Sequence, residues 1–161
     1  MKTNLSWKKD WFSNVYNIYN QDVLVGTFKD KSFSYTATGE LNGKGYIFKT
    51  KGFLNQRTEI IDSSDNKPIG EITYNSWMNK ATITVNNKTV YWKYDNIWNT
   101  QWSLLNSEGI HIKYTSSTTN GQIVSNVSDP ILILCGLFVT NYYRQMTAAV
   151  LIVVFIPLFV N

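Results

Sequence analysis

Apolar and polar residues alternate with a period of two through most of the first 127 positions, and the alternation stops at Pro130. Ser32-Phe33-Ser34-Tyr35-Thr36-Ala37 sets Phe33, Tyr35 and Ala37 on one face and hydroxyls on the other. Tyr46 and Phe48 alternate with Ile47 and Lys49, and Ala81, Ile83 and Val85 with Thr82 and Thr84. Val90, Trp92 and Tyr94 oppose Tyr91 and Lys93; Ile110, Ile112 and Tyr114 oppose His111, Lys113 and Thr115. Successive strand residues point to opposite faces, so this pattern predicts strands with one buried and one wet side. Further runs near 14–19, 22–28, 57–62, 68–74, 99–105 and 121–126 raise the expectation to about ten to twelve strands. Between runs lie Asp62-Ser63-Ser64-Asp65-Asn66-Lys67, Asn86-Asn87-Lys88 and Asn106-Ser107-Glu108-Gly109, residue types that tolerate the positive φ of tight hairpins. A sheet of this many strands must form a sandwich or close on itself, because open edges template aggregation.

From Pro130 to Val160 the chain is almost wholly apolar. Asp129-Pro130 suits a helix start, with Asp at the cap and proline in the first turn. A helix from Pro130 to about Gln145 spans roughly 24 Å, a match to the bore of a barrel. Leu132, Leu134, Leu137, Phe138 and Val139 face several directions at once, and Gly136 offers a point of close approach. A helix apolar all round must be wrapped by protein or lipid. The expected fold is mainly β: a closed antiparallel barrel of about twelve strands around a central apolar C-terminal helix.

The hairpin unit Glu59 to Ile72 and the segment Asp129-Pro130-Ile131-Leu132-Ile133-Leu134-Cys135-Gly136-Leu137-Phe138 resemble the tubby C-terminal-like superfamily. That group includes tubby-like proteins, phospholipid scramblases and plant LURP-one-related proteins. The resemblance covers about residues 4–145 and implies a twelve-stranded barrel around a hydrophobic helix. Members of the superfamily bind phosphoinositides or are linked to lipid movement across bilayers, which implies a lipid partner here. No head-group motif is matched position by position, and neither a scramblase-type calcium motif nor a palmitoylated cysteine cluster is present.

Residues 146–161 extend beyond that resemblance as a second apolar stretch. Thr147 to Val160 covers roughly 21 Å, short of the ~30 Å of a bilayer core. Joining both stretches places Asn141, Arg144 and Gln145 near mid-membrane, where arginine costs about 2.5–3.5 kcal/mol. The expected division is therefore 1–145 as the barrel with its helix (about 130–145) and 146–161 as a projecting tail, with Asn141 to Gln145 at the rim. Tyr142, Tyr143 and Arg144 are candidates for a membrane interface, or for packing at the barrel rim. The tail either anchors the protein to a membrane, or packs on its own barrel or across a homodimer. Pro157 stands where it would kink or end the helix.

Composition narrows the chemistry. One cysteine, Cys135, and one histidine, His111, provide no zinc site of the usual Cys/His kinds and no disulfide. Gly39, Gly43 and Gly45 are followed by no Lys-Ser/Thr, and Asp62, Asp65 and Asn66 lack calcium-loop spacing. No nucleophile, base and oxyanion set can be named, so a non-enzymatic protein with no catalytic residues, metal or cofactor is expected. The net charge of +4 suits anionic phospholipid surfaces but falls short of the basic stripe of a nucleic-acid binder. Lys44, Lys49, Lys51 and Arg57 are the lipid head-group candidates, against the ordinary reading as solvated strand faces. Among the six tryptophans, Trp92, Trp98 and Trp102 suggest core packing before ligand stacking. The opening residues carry no apolar signal segment, so the expected location is the cytoplasm or the cytoplasmic side of a membrane.

Overall fold

Twelve antiparallel strands close into a barrel in which every strand pairs with its sequence neighbours and β1 closes on β12. The computed structural model describes residues 2–30, 34–52 and 55–159, with side chains of the helix placed through Phe155. The strands are β1 (Thr3–Lys8), β2 (Val15–Asn20), β3 (Val23–Asp30), β4 (Thr36–Leu41), β5 (Lys44–Lys51) and β6 (Arg57–Asp62). They continue as β7 (Lys67–Tyr74), β8 (Lys80–Val85), β9 (Lys88–Tyr94), β10 (Gln101–Leu105), β11 (His111–Ser116) and β12 (Asn120–Ser125). One helix, α1 (Pro130–Phe159), follows β12 and runs back up the bore. The expected barrel around a central apolar helix is the observed fold.

The period-two pattern works as a register device. Tyr46, Phe48, Ile83, Val85, Val90, Trp92, Ile112 and Tyr114 all point inward and are buried, while Lys49, Tyr91, Lys93 and Lys113 face water. Closure removes the sheet edges altogether. At one end, three hairpins turn through two residues that both have positive φ: Gln21-Asp22, Asn42-Gly43 and Asn86-Asn87. That is the geometry whose twist matches antiparallel strands.

α1 fills the bore because its apolar surface is continuous from Pro130 to Val139, every residue of which is buried. Its Phe138 ring stacks on Phe48 at 4.6 Å and meets Phe28 edge-on at 6.3 Å. Gly39 of β4 lies against Leu134, where a Cβ would stand 3.1 Å from two leucine methyl groups. The Gly136 carbonyl accepts bonds from the indoles of Trp92 (3.3 Å) and Trp102 (3.1 Å) and from the Thr140 hydroxyl (2.9 Å). Buried indole N–H groups need partners, and the helix backbone supplies them for Trp92 and Trp102, whereas the Trp7 indole N–H is buried without one. Asp129 stands at the cap: its carbonyl accepts from Ile133 N at 3.3 Å, and its carboxylate lies 3.7 Å from Lys88.

Two expectations need correction. The strand expected over 32–37 begins at Thr36 and runs to Leu41; Tyr35 is an exposed loop residue, and Phe33 lies outside the described residues. Gly39 hides the true strand in the sequence, because it lacks a strand-forming side chain in order to admit Leu134. The helix expected to end near Gln145 continues unbroken to Phe159, past Pro157. Asn141 to Gln145 are polar, but their side chains find partners on the strands and loops around them, so nothing interrupts the helical backbone.

Candidate functional site

The antiparallel order sorts the loops by parity. Connections from odd to even strands lie at the end where α1 leaves the barrel, here the exit rim. Connections from even to odd strands, and the β12–α1 turn, lie at the opposite end, the base. The base is polar: its turns are Gln21-Asp22, Asn42-Gly43, Ser63–Asn66, Asn86-Asn87 and Asn106–Ile110.

At the exit rim α1 is held by polar bonds. Tyr16 donates to Asn141 Oδ1 at 3.0 Å, and Asn141 donates in turn to Asp30. Gln145 also donates to Asp30, at 3.0 Å. Tyr142 stacks on Tyr74 with centroids 4.0 Å apart and donates to Gln56. Tyr143 is buried and donates to the Lys80 carbonyl, with Trp92 tilted against it at 5.3 Å. Arg144 lies 5.4 Å over the Trp102 ring and donates to Ser116 Oγ at 2.8 Å. Burial pushes the Tyr142 phenol up to about 12 and raises Tyr143 as well. All three candidate interface residues thus stand at the rim engaged with the barrel. Tyr143 is inside it, and Arg144 is tied down.

Beyond that rim the helix has no cover. Val150 to Phe155 are six consecutive apolar residues, each about half exposed or more, with Val153 at 72%. The segment from Thr147, the first exposed residue past these bonds, to Phe159 projects roughly 18 Å. By length and composition α1 over Pro130–Phe155 is sufficient to cross a membrane. Its first half, however, has already spent its apolar surface inside the barrel. The expected alternative in which the tail folds onto its own barrel does not match these exposures.

The four head-group candidates do not converge. Lys44 sits at the base, at the opposite end of β5 from Lys51, about 23 Å along the strand. Lys49 pairs in register with Glu59, Lys51 bonds Glu59 at 3.1 Å, and Arg57 lies 3.9 Å from Glu71. A groove of about 590 Å³ includes Lys51 and Arg57, but the same two carboxylates line it. These surface pairs are solvated and balanced, with little field left for a phosphate.

The barrel wall is polar outside. Lys49, Glu59, Glu71, Lys93 and Lys113 occupy outward mid-strand positions, the reverse of the apolar band on a barrel that crosses a membrane with its strands. Dividing each strand at its midpoint, the described residues of the exit half carry nine Lys and Arg against five acids. Those of the base half carry five against six.

Sequence reasoning missed a set of rim residues. Trp7, Trp92 and Trp102 are buried as core, but Trp98, expected to pack there, is exposed because it sits on the β9–β10 loop; with Trp11 and Trp77, also exposed, it belongs to the exit-rim loops. Phe12, Tyr35 and Ile97 are exposed on the same rim. Strand parity was the available signal: Trp77 and Trp98 follow two odd strands and so must share one end. No group of three or more potential metal ligands exists among the described residues.

Comparison with known proteins finds no family model that matches the chain, and no curated protein or solved structure that matches it significantly.

Proposed function

We propose that this chain is a non-enzymatic barrel protein that associates with a membrane or its lipids through the apolar C-terminal part of α1. The observation that carries this reading is the run Val150–Phe155, apolar on every side and uncovered. Burying a Val, Leu, Ile or Phe side chain is worth about 1.5–3 kcal/mol. Six of them at half exposure therefore favour transfer into hydrocarbon by on the order of 5–10 kcal/mol. A second copy of the helix would cover one stripe and leave the rest wet, whereas lipid covers all sides at once.

The excess of cations on the exit half supports an anionic, cytoplasm-facing leaflet as the surface approached. The likeness to the tubby C-terminal-like superfamily, whose members bind phosphoinositides or are linked to lipid movement, supports the same partner class. Lipid scrambling is not part of the proposal.

Membrane fractionation tests it, with intact protein beside a full-length variant carrying Val150→Lys and Val154→Lys. The intact chain is expected in the membrane pellet after a high-salt wash, and the variant in the supernatant. Equal distribution of the two would overturn the anchoring role.

A further inference from the structure

We infer that the exit rim itself docks in the head-group zone of an anionic bilayer, with Trp11, Phe12, Trp77 and Trp98 seated among the head groups. This rests on the membrane reading of the tail. It adds that the barrel stands upright on the lipid instead of hanging from a helix.

The placement is one-sided. Exposures of 71% for Trp11, 99% for Phe12, 85% for Trp77 and 78% for Trp98 are all found on the rim that α1 leaves. Indole rings with an N–H handle favour the membrane–water boundary, where an apolar body and a polar edge are both accommodated. The opposite end offers Asn, Asp, Ser and Gly turns, and the exposed apolar residues beside them, Val23 and Leu24, are aliphatic.

The exposure is built in. In the β7–β8 loop the Asn75 side-chain oxygen accepts from the backbone N–H of Asn79 (3.1 Å) and Lys80 (3.0 Å). In the β9–β10 loop Asn96 does the same for Thr100 (3.0 Å) and Gln101 (3.1 Å). Each asparagine also donates its Nδ2 four residues on, to Asn79 Oδ1 (2.7 Å) or Thr100 Oγ1 (2.8 Å). The residue at the fourth position has positive φ in both, Met78 at 53° and Asn99 at 55°. The two loops are the same device used twice, and in each the third residue, Trp77 or Trp98, is the one held outward. A side chain presented on a braced loop loses little order on binding.

The occupant must meet separate loops around a protruding helix and also every side of that helix. A fluid leaflet does this; a rigid partner surface would need a hole at its centre. A second copy packed rim to rim would bring the two sets of cations together, which costs free energy. The hydrocarbon half-thickness is about 15 Å, so the roughly 18 Å projection of α1 reaches into the first leaflet when the rim lies at the head groups.

The test uses the full chain with one introduced thiol, since Cys135 is fully buried. Ile97→Cys beside Trp98, or Glu108→Cys at the base, is labelled with an environment-sensitive fluorophore. Each is mixed with phosphatidylcholine vesicles containing phosphatidylserine. Docking predicts a blue-shifted label at 97 and an aqueous one at 108. It also predicts at least tenfold weaker partitioning for a Trp11→Ser, Phe12→Ser, Trp77→Ser, Trp98→Ser variant whose tail is intact. An aqueous label at 97 on protein that still sediments with vesicles overturns docking and leaves the tail anchor standing. Failure of the intact chain to bind vesicles at all overturns both. A label at 97 already shielded without lipid, on protein that sediments as a dimer, overturns docking in favour of a second copy.

Discussion

Tyr114 of β11 lies directly against Gly136 of α1, so close that a Cβ on residue 136 would overlap the phenol carbon and oxygen. The same hydroxyl donates to the Ile133 carbonyl at 3.0 Å, and the Gly136 carbonyl receives two tryptophan indoles from other strands. On helix propensity alone, Gly136→Ala would stabilise by about 1 kcal/mol. Overpacking costs about 1–3 kcal/mol and here also displaces hydrogen-bonded aromatics. Gly136→Ala is therefore expected to lower the denaturant midpoint, and Tyr114→Leu in the same chain to recover part of the loss. An unchanged or raised midpoint would show that the bore has slack.

Asn141 ties the helix to two strands, accepting from Tyr16 and donating to Asp30. Asn141→Leu removes both bonds from buried partners and should cost about 1–3 kcal/mol in chemical denaturation. Asn141→Asp sets a second carboxylate beside Asp30. It is expected to be less stable than the parent at neutral pH and to recover as the pH falls and one carboxylate takes a proton. No pH dependence in that variant would count against direct contact between the two side chains.

Several tyrosines make stability fall in alkali. Burial raises the phenols of Tyr16, Tyr74, Tyr114 and Tyr143, and pushes Tyr142 up to about 12. The folded chain keeps protons that the unfolded chain gives up near pH ~10, so the stabilisation is complete below that value. It is lost progressively as the pH rises toward the folded values. The unfolding midpoint should drop between about pH 10 and 12, with phenolate absorbance at these rings appearing together with unfolding. A midpoint flat across that range would contradict the burial of this cluster.

Cys135 is fully buried on α1, and burial raises its thiol well above the ordinary range. A thiol reagent should therefore react with the native protein only at the rate of unfolding, and stoichiometrically in denaturant. Rapid labelling of native protein would mean that the helix leaves the barrel.

The barrel was legible because its signal is long and redundant: an inward residue such as Trp92 or Ile112 recurs at every second position, and a helix without a polar face needs a bore to occupy. The rim was not. Trp77 and Trp98 sit in Asn- and Ser-rich loops outside the period-two runs, and composition alone gives any tryptophan to the core. Hairpin parity places both at one end, but only once the strands are counted correctly. Two strands, β8 and β9, lie between them and return the chain to the end it left. Lys44 and Lys51 are head-group candidates from one strand, yet strand rise separates them by about 23 Å. Continuation of α1 through Asn141–Gln145 was hidden because its polar residues are satisfied by partners 28 or more positions away, which no local pattern records.

The paired loops carry the last prediction. Asn75 and Asn96 each accept from two backbone N–H groups at the start of the following strand. Because the loops are solvated, replacing either asparagine by alanine should cost only about 0.5–1.5 kcal/mol of global stability. The local effect should be larger. Amide exchange at Asn79 and Lys80, or at Thr100 and Gln101, should speed up well beyond the change in global stability. If the braces exist to present Trp77 and Trp98, the Asn75→Ala, Asn96→Ala double variant should bind anionic vesicles more weakly with every rim aromatic still in place. Rapid exchange with undiminished vesicle binding would instead make the asparagines turn formers and nothing more.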